Sequence, residues 1–313
     1  MPKLSVIIPV FNVEKTLRKC VESVLENGLP TDQYEIIIVD DESPDNSIEI
    51  AREFESVHNN VRVISQRNKG LGGARNTGIL NSAGTYLLFL DSDDYLKPGS
   101  LQRILDHAAK VDCEIVEFGA DLVESDGKVY ASVTPVETGV SLSGTEYWNT
   151  CPSINSACNK LYLRSFLAEN HLLFKEKIFA EDFEFNTRAL YFCRRAASTP
   201  ISVSCFVRSE NSITRSRNRQ SREKYVTDFI SVIQSVNDFA NQVEDEKDFF
   251  NERLTILNVD LFLFMVKNRF SLSEMRKIKK ELVSRQIYFV KHRLRHFSKN
   301  ILRIIFLRIL PLF

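Results

Sequence analysis

The segment Asp91-Ser92-Asp93-Asp94 follows directly on an apolar run at residues 86–90 (YLLFL). Alternate carboxylates at the end of a buried strand can turn towards one point. Hard oxygen ligands of this kind hold Mg²⁺ or Mn²⁺, which commonly also bridges to the phosphates of a substrate. The alternative is a solvated acidic turn in which one aspartate caps a following helix. The position after a buried strand strengthens the metal interpretation, and this motif alone leaves both open.

A second acidic pair, Asp40-Asp41, ends another apolar run at residues 35–39. A carboxylate there can accept hydrogen bonds from a nucleotide base or from ribose hydroxyls, although an ordinary turn acid has the same sequence pattern. The segment GLGGARN at residues 70–76 could let backbone approach a nucleotide, with Arg75 as a fixed cation. Its spacing matches neither the P-loop nor the dinucleotide GxGxxG pattern, and a tight helix start explains it equally well.

Alternating strand and helix patterns must position these motifs. Near-continuous apolar runs at residues 4–10, 35–39 and 86–90 are typical of strands buried on both faces, and residues 61–65 read as a further strand. Segments with helical spacing separate them, which predicts right-handed βαβ units and a mostly parallel sheet with helices on both faces. Because ligands of such sheets bind at the carboxyl ends of the strands, we expect the two acidic motifs to share one ligand site.

Composition excludes several classes of protein. The chain has 313 residues, 43% hydrophobic and 26% charged, which is typical of a globular protein and not of a disordered chain or a disulfide scaffold. Its 41 basic and 41 acidic residues balance, so no global charge favours nucleic acid as a partner. Six cysteines without a CxxC pair and five scattered histidines give a zinc site no support. Without a leader-like start or an apolar run of roughly 18 residues, we expect a reduced, cytoplasmic protein.

Four motifs, taken together and in order, carry a resemblance to a known family. They are VIIPVFN at 6–12, VDD at 39–41, GGARNTG at 72–78 and FLDSDD at 89–94. In this combination the chain closely resembles the family 2 glycosyltransferases, strongly over residues 1–100 and more loosely through NKLY, AED and RSENSIT further on. The resemblance implies a GT-A fold and transfer of a sugar from a nucleotide diphosphate with inversion at the anomeric carbon. Glu42, where many relatives carry glycine, is a minor departure.

The resemblance also implies roles for individual residues. The implied donor-binding residues are Pro9, Phe11, Asp40, Arg75, Asp91, Arg208 and Ser212, and the implied ligands of Mn²⁺ or Mg²⁺ are Asp91 and Asp93. Asp40 would contact uracil or an equivalent base, and Arg75 would lie by the base or the phosphates. Arg208 and Ser212 follow a predicted strand at 201–207, in a polar loop that could close over the diphosphate, although Arg208 can also be an ordinary surface arginine.

Asp182 would be the catalytic base. Inverting transfer is a single displacement, in which an acceptor hydroxyl attacks opposite the departing nucleoside diphosphate, so it needs a carboxylate on the acceptor side. Asp182 begins a predicted helix at 182–193, downstream of the nucleotide-binding half. General-base assistance is worth about 10²–10⁴-fold. Acids are also favoured near a helix N-terminus, so the catalytic interpretation depends on the metal motif upstream.

We expect one catalytic domain followed by helices. Residues 1–110 would form its nucleotide-sugar-binding half and residues 111–215 its acceptor-binding half, followed by a helical region at 216–284 and a basic amphipathic tail at 285–313. The predicted activity is metal-dependent transfer from a UDP-linked donor, in preference to a GDP-linked one, to a saccharide or polyprenyl-linked acceptor in surface polysaccharide synthesis.

Two other functions compete with glycosyl transfer. Sugar-phosphate nucleotidyl transfer also uses an α/β sheet and a metal, but its expected Lys-containing Gly-rich loop near the N-terminus is absent. A non-catalytic nucleotide-sugar-binding protein is disfavoured because all the required carboxylates are present.

The tail after Glu281 has seven Lys and Arg residues and no acid. On a helical wheel Arg295, Lys299 and Arg303 share one face, while Val290 and Leu294 lie on the opposite, apolar face. This pattern predicts a basic amphipathic helix that lies on an anionic membrane surface and holds the protein peripherally at the inner face of the cell membrane. The alternative is a helix packed on the catalytic domain or on a second subunit, as in a homodimer.

Overall fold

The computed structural model describes residues 1–151, 154–208, 218–243, 245–290, 294 and 300–304. The chain divides into two compact units, Met1–Ser209 and Glu210–Phe313. The first combines strands with helices, and the described part of the second is helical with a short irregular segment.

Nine strands form one mixed sheet within the described part of the first unit. They are β1 (Leu4–Val10), β2 (Tyr34–Asp40), β3 (Val61–Ser65), β4 (Tyr86–Phe89), β5 (Tyr95–Leu96), β6 (Ile115–Val123), β7 (Val129–Val133), β8 (Lys160–Leu163) and β9 (Ala196–Val207). Their order is β3-β2-β1-β4-β8-β6-β9-β5, and β7 pairs with β6 outside this path. Strands β1 to β4 are mutually parallel, as are β6 and β9, whereas β8 runs antiparallel to β4 and β6.

Seven helices accompany this sheet in the described residues of the first unit. They are α1 (Leu17–Leu25), α2 (Ser47–Val57), α3 (Gly70–Asn81), α4 (Ser100–Val111), α5 (Gly144–Thr150), α6 (Arg164–Glu169) and α7 (Glu181–Phe192).

Burial follows the two-residue period of the central strands. All seven residues of β1 are buried. Ile36 and Ile38 of β2 belong to the large apolar cluster with residues of α1, α2 and α4, whereas Ile37 and Val39 pack with Ala74 of α3. Since successive side chains of a strand point to opposite faces, helices cover both faces. The predicted α/β fold, with a largely parallel sheet and a helical C-terminal extension, is confirmed.

Three helices form the described core of the second unit: α8 (Arg219–Val243), α9 (Lys247–Lys267) and α10 (Leu272–Ser284). Helix α9 is buried on most of its circumference, and even its Arg253 and Asn258 are 1% and 0% exposed. Ser271 caps α10 through a reciprocal pair of hydrogen bonds with Glu274. No helix among these described segments combines the length and apolarity needed to cross a bilayer.

The continuous tail helix expected from Val290 onward is wrong in its first part. Val290 and Leu294 lie outside helices and are 1% and 2% exposed, because their apolar side chains are buried instead of being presented on a helix face. Arg303, predicted on the polar face, is 8% exposed and donates to the carbonyl oxygen of Val290 at 3.1 Å. Five other basic residues of the tail lie outside the described residues: Lys291, Arg293, Arg295, Lys299 and Arg308.

Candidate active site

The two acidic motifs lie at the carboxyl ends of strands on either side of β1. Val10 pairs with Asp40 of β2, and the N–H of Leu90 donates to the carbonyl of Ile7 at 3.0 Å. Asp91 therefore follows immediately on the other side of the central strand. As the sequence predicted, parallel alignment brings both motifs to one edge of the sheet.

Arg75 of α3 links the acidic segment at residues 91–94 to α7, which begins more than 100 residues further along the chain. Its Nη2 donates to Asp91 Oδ1 at 2.7 Å, and its Nη1 donates to Glu181 Oε1 at 2.6 Å. Its Nη2 also lies 3.6 Å from Cys158 Sγ, and its guanidinium lies 5.2 Å from the centre of the Phe174 ring. Only 2% of Arg75 is exposed, so its guanidinium is held between Asp91 and Glu181 and is shielded from solvent.

Asp93 and Asp94 crowd negative charge beside Asp91. Asp94 is 8% exposed and accepts the N–H of Val207 at 2.7 Å, which ties the motif to the end of β9. Burial and the charge of Asp91 raise the pKa of Asp93 to about 6. Burial raises the pKa of Asp94 as well, with Asp91 and Asp93 adding to the effect. The site therefore holds more negative charge than Arg75 alone balances.

The carboxylates at this site fit a metal ion that a substrate helps to coordinate. Among the described residues no three His, Cys, Asp or Glu side chains are grouped so as to hold a metal ion. Mg²⁺ typically takes only one or two carboxylates and completes its coordination with water and substrate phosphates. Asp91 and Asp93 suit that arrangement, because a cation would favour the ionised form of Asp93 that burial and its neighbour disfavour.

Glu181 and Asp182 open α7 on the other side of Arg75. Ala180, the residue that precedes the helix, is in the left-handed conformation with φ +61°. Glu181 is 4% exposed and ion-paired with Arg75, whereas Asp182 is partly exposed. Burial, followed by the charge of Glu181, raises the pKa of Asp182 to about 7. Such a carboxylate can take up a proton near neutral pH.

Asp41 was expected only as part of an acidic pair, and the structure gives it a separate position. Its Oδ1 accepts Gln66 Nε2 at 2.6 Å and the N–H of Lys69 at 2.8 Å, and its Oδ2 accepts the N–H of Gly70 at 2.8 Å. It is 2% exposed. Asp41 thus caps the loop that begins α3, while Asp40 beside it accepts the N–H of Ser43 at 3.3 Å.

The loops after β1 and β2 are joined by hydrogen bonds. Pro9 is buried within β1, and Phe11 just beyond it is 50% exposed at the same edge as Asp40. The N–H of Glu14 donates to Asp45 Oδ2 at 2.9 Å. Glu42 has φ +67°, in the left-handed region that favours glycine, so a non-glycine residue occupies a turn conformation that glycine adopts readily.

Arg208 is the last described residue before residues 209–217. Its Nη1 pairs with Glu124 Oε1 at 2.9 Å, and its guanidinium lies 5.8 Å from the ring centre of Tyr130. Arg208 is thus an exposed arginine at the β9 end that Asp94 holds. Ser212 and the rest of the predicted loop lie outside the described residues.

The glycine-rich helix start lies against the protein's own chain. A Cβ at Gly72 would come within 2.2 Å of the carbonyl oxygen of Lys175, and one at Gly73 within 2.3 Å of the Lys69 side chain. Asn76 exchanges two hydrogen bonds with the backbone of Phe174. Sequence reasoning missed this contact, because the glycine spacing gives no indication of which backbone approaches it.

A buried cluster of charged side chains holds residues 154–158 close to Arg75. Lys160 is 1% exposed, and its Nζ donates to the carbonyls of Ile154 at 2.8 Å and Ser156 at 2.9 Å. Its Nζ also lies 3.7 Å from Glu117 Oε2, and Glu117 is 0% exposed. This cluster holds the segment that carries Cys158 to the guanidinium of Arg75.

All six cysteines are free and buried. Cys20 Sγ lies 3.6 Å from the carbonyl oxygen of Asp91, so two thiols, Cys20 and Cys158, lie directly beneath the acidic motif. Burial is the main reason that the pKa of each thiol is raised. The charges of Asp94 and Asp91 raise the pKa of Cys20 further, and the charge of Asp91 does the same for Cys158.

Known proteins are similar to this chain in sequence and in fold. A family model described as "Glycosyl transferase family 2" matches residues 5–180. The "Uncharacterized glycosyltransferase EpsJ" of Bacillus subtilis (strain 168) is 34% identical over 222 residues, which are 68% of this chain and 63% of that protein. The "Chondroitin synthase" of Escherichia coli is 42% identical over 110 residues, 35% of this chain and 16% of that protein. The crystal structure of S. aureus TarS 1–349 in complex with UDP-GlcNAc has a TM-score of 0.71 at 22% identity, covering 90% of this chain and 80% of that one.

These similarities cover different parts of the proteins and support different conclusions. The aligned part of the chain spans less than two thirds of the length of EpsJ and of the chondroitin synthase. At 22% identity, the similarity to TarS concerns the fold. The family model covers more than half of the chain and includes the acidic motifs, Arg75 and the segment that leads to α7. The resemblance predicted from the motifs is therefore confirmed, and the chain belongs to glycosyl transferase family 2.

Proposed function

We propose that this glycosyltransferase moves a sugar, with inversion, from a UDP-linked donor to a hydroxyl of a saccharide or a polyprenyl-linked saccharide. The observation that carries the proposal is the pairing of Arg75 with both Asp91 and Glu181. This pairing brings the acidic end of β4, suited to a nucleotide diphosphate, next to the helix that begins with a candidate base. The UDP-GlcNAc bound to TarS, which shares the fold, supports the choice of donor class.

Asp182 would act as the general base. It would accept the proton of the acceptor hydroxyl while that oxygen forms its bond to the anomeric carbon and the bond to the diphosphate oxygen breaks. A base works best when its pKa lies near the operating pH, and burial with the Glu181 charge raises the pKa of Asp182 to about 7. Glu181 itself is engaged by Arg75, which leaves Asp182 as the acid available to the acceptor.

Asp91 and Asp93 would hold Mn²⁺ or Mg²⁺ together with the diphosphate. When bound, the ion would offset the negative charge that develops on the leaving group. Arg75 keeps one oxygen of Asp91 occupied, so this chain would supply few ligands to the ion, and the donor phosphates and water would supply the others.

The uracil and ribose would lie over the ends of β1 and β2. Asp40 lies at the end of β2, and its carboxylate can accept an N–H of the base. Pro9 and the exposed ring of Phe11 border the same edge. Arg208 and Ser212 would contribute to the diphosphate side, with Arg208 leaving its surface pair with Glu124 to do so.

A donor screen tests the proposal. Purified protein with Mn²⁺ is offered each common nucleotide sugar, and release of nucleoside diphosphate is measured against release of pyrophosphate. Nucleoside diphosphate is the product of glycosyl transfer, whereas pyrophosphate would indicate nucleotidyl transfer. Asp182→Asn is expected to lose turnover and keep donor affinity, while Asp112→Asn, at a side chain 87% exposed, serves as the matched control. An Asp182→Asn variant within threefold of wild type would remove Asp182 as the base.

The acceptor is proposed to be attached to a membrane. A polyprenyl-linked saccharide stays at the bilayer surface, and the basic residues after Glu281, other than the buried Arg303, could hold the protein against anionic lipid at the inner face of the cell membrane. Each Lys or Arg near such a surface contributes about 1 kcal/mol. The named functions of relatives such as chondroitin synthase support a role in polysaccharide synthesis.

A further inference from the structure

Asn76 holds the segment that leads into α7. Its Nδ2 donates to the carbonyl oxygen of Phe174 at 2.8 Å, and its Oδ1 accepts the N–H of Phe174 at 2.7 Å. The side chain satisfies both backbone groups of one residue that is 98 positions away in sequence. Asn76 is 6% exposed, so water does not readily replace either hydrogen bond.

The neighbouring residues of α3 bring the same segment close. Gly72 leaves room for the carbonyl of Lys175, which would be 2.2 Å from a Cβ. The N–H of Lys177 donates to the carbonyl of Lys69 at 2.9 Å. Lys177 has φ +59°, a conformation that costs a non-glycine residue free energy and persists where surrounding contacts determine it. The segment is thus attached to the start of α3 at three points.

Phe174 connects the attached segment to α7. Its ring stacks on that of Phe185 with 3.8 Å between ring centres and 12° between planes. Arg188 Nη2 also donates to the carbonyl oxygen of Leu173 at 2.6 Å. Phe185 comes three residues after Asp182, and residues three apart lie on neighbouring positions of a helix surface. A displacement of Phe174 would therefore move the first turn of α7 and its acids.

We infer that Asn76 is a positioning residue that fixes the carboxylate of Asp182 through Phe174 and the Phe174–Phe185 stack. The inference rests on the proposed role of Asp182 as base. It assigns the Asn76 side chain and Gly72 to the acceptor side of the reaction, although both stand in the glycine-rich motif of the donor half. Arg75 pairs with Asp91 directly, at 2.7 Å, so we expect this donor-side contact to persist when Phe174 shifts, although the Phe174 ring lies 5.2 Å from the Arg75 guanidinium.

Asn76→Ala tests the inference, with Asn81→Ala as its matched control on the same helix. Asn81 is exposed, and its side chain bonds only within α3 in the described residues, to the carbonyl of Thr77. Misplacement of a reacting group by about 1 Å can cost on the order of 10²-fold in rate. We expect Asn76→Ala to lower kcat about 10- to 100-fold, to leave the donor Kd within about twofold, and to speed amide exchange at residues 172–180. Asn81→Ala should change none of the three.

Gly72→Ala approaches the same contact without deleting a hydrogen bond and keeps the test valid if Asn76→Ala is poorly folded. Its Cβ pushes on the Lys175 carbonyl, so the same fall in kcat at constant donor Kd is expected. A kcat within twofold of wild type, despite faster exchange at 172–180, would overturn the inference, as would an equal loss of kcat and donor affinity. If Asp182→Asn is inactive while Asn76→Ala runs at full rate, the inference alone fails. If Asp182→Asn stays active, the proposed function fails first.

Discussion

Asp182→Asn should inactivate the enzyme and also stabilise it at alkaline pH. Burial, followed by the Glu181 charge, raises the pKa of Asp182 to about 7 in the folded chain, whereas an unfolded aspartate has a pKa of about 3.9. A carboxyl whose pKa is raised on folding contributes stability that is present below the unfolded pKa and lost as the pH rises to the folded one. Asparagine is neutral at every pH, so the variant does not lose that contribution.

The magnitude follows from the same values. Between pH 5 and pH 7 the wild type should lose about 1.4 kcal/mol of unfolding free energy per pH unit relative to the variant, with no further loss above pH 7. The advantage of Asp182→Asn should therefore grow by about 2–3 kcal/mol between pH 5 and pH 8. For a unit of about 200 residues this is a Tm difference of about 5–10 °C.

The assay is thermal unfolding of both proteins at pH 5 and pH 8, without donor and with chelator present. Asp121→Asn is the control of opposite sign, because the hydrogen bond from Lys97 lowers the pKa of Asp121. That variant should be less stable than wild type by a constant amount across this pH range. An Asp182→Asn variant no more stable than wild type at pH 8, or an advantage independent of pH, would refute the reasoning.

Three further perturbations have definite expected outcomes. Chelation with excess EDTA should abolish nucleoside diphosphate release, and Asp93→Ala should do so even with added Mn²⁺; full activity in EDTA would reject the metal role of Asp93. Lys160→Met should cost about 3–5 kcal/mol in urea unfolding, because it removes the cation beside the buried Glu117 carboxylate; a loss under about 1 kcal/mol would mean that the pair is dispensable. Replacing four basic residues of the tail with Gln should weaken co-sedimentation with anionic vesicles, and unchanged binding would assign the tail another role. The four are Lys291, Arg293, Arg295 and Lys299.

The strand ends could be predicted because burial on both faces leaves a clear trace in the sequence. Strand β1 has seven buried residues in succession, and only a continuous apolar run satisfies that environment. Once the strands were placed, parallel topology brought Asp40 and Asp91 to one edge without further information. The Asp126-Gly127 pair between β6 and β7 has a local signal of the same kind, because this dipeptide favours a tight turn, and Gly127 has φ +87°.

Other features depend on contacts that no local pattern encodes. Strand β5 has two residues and exists through its pairing with β9. Asp41 and Asp40 are indistinguishable in sequence, yet Asp41 accepts the N–H groups at the start of α3 while Asp40 ends β2 at the proposed donor site. The tail gave a plausible helical wheel, but burial of Val290 and Leu294 overrides helical periodicity there. For β5 and for Asp41 the deciding partner is distant along the chain.

The buried cysteines allow local opening of the structure to be measured from the reactivity of their thiols. A thiol that solvent does not reach reacts with an alkylating reagent only when the surrounding structure parts. Cys20 and Cys158 lie beneath the acidic motif, and Cys113 and Cys193 lie elsewhere in the first unit. Alkylation rates at these two pairs, read by mass spectrometry, would separate loosening around the acidic motif from unfolding of the unit as a whole, without an engineered cysteine.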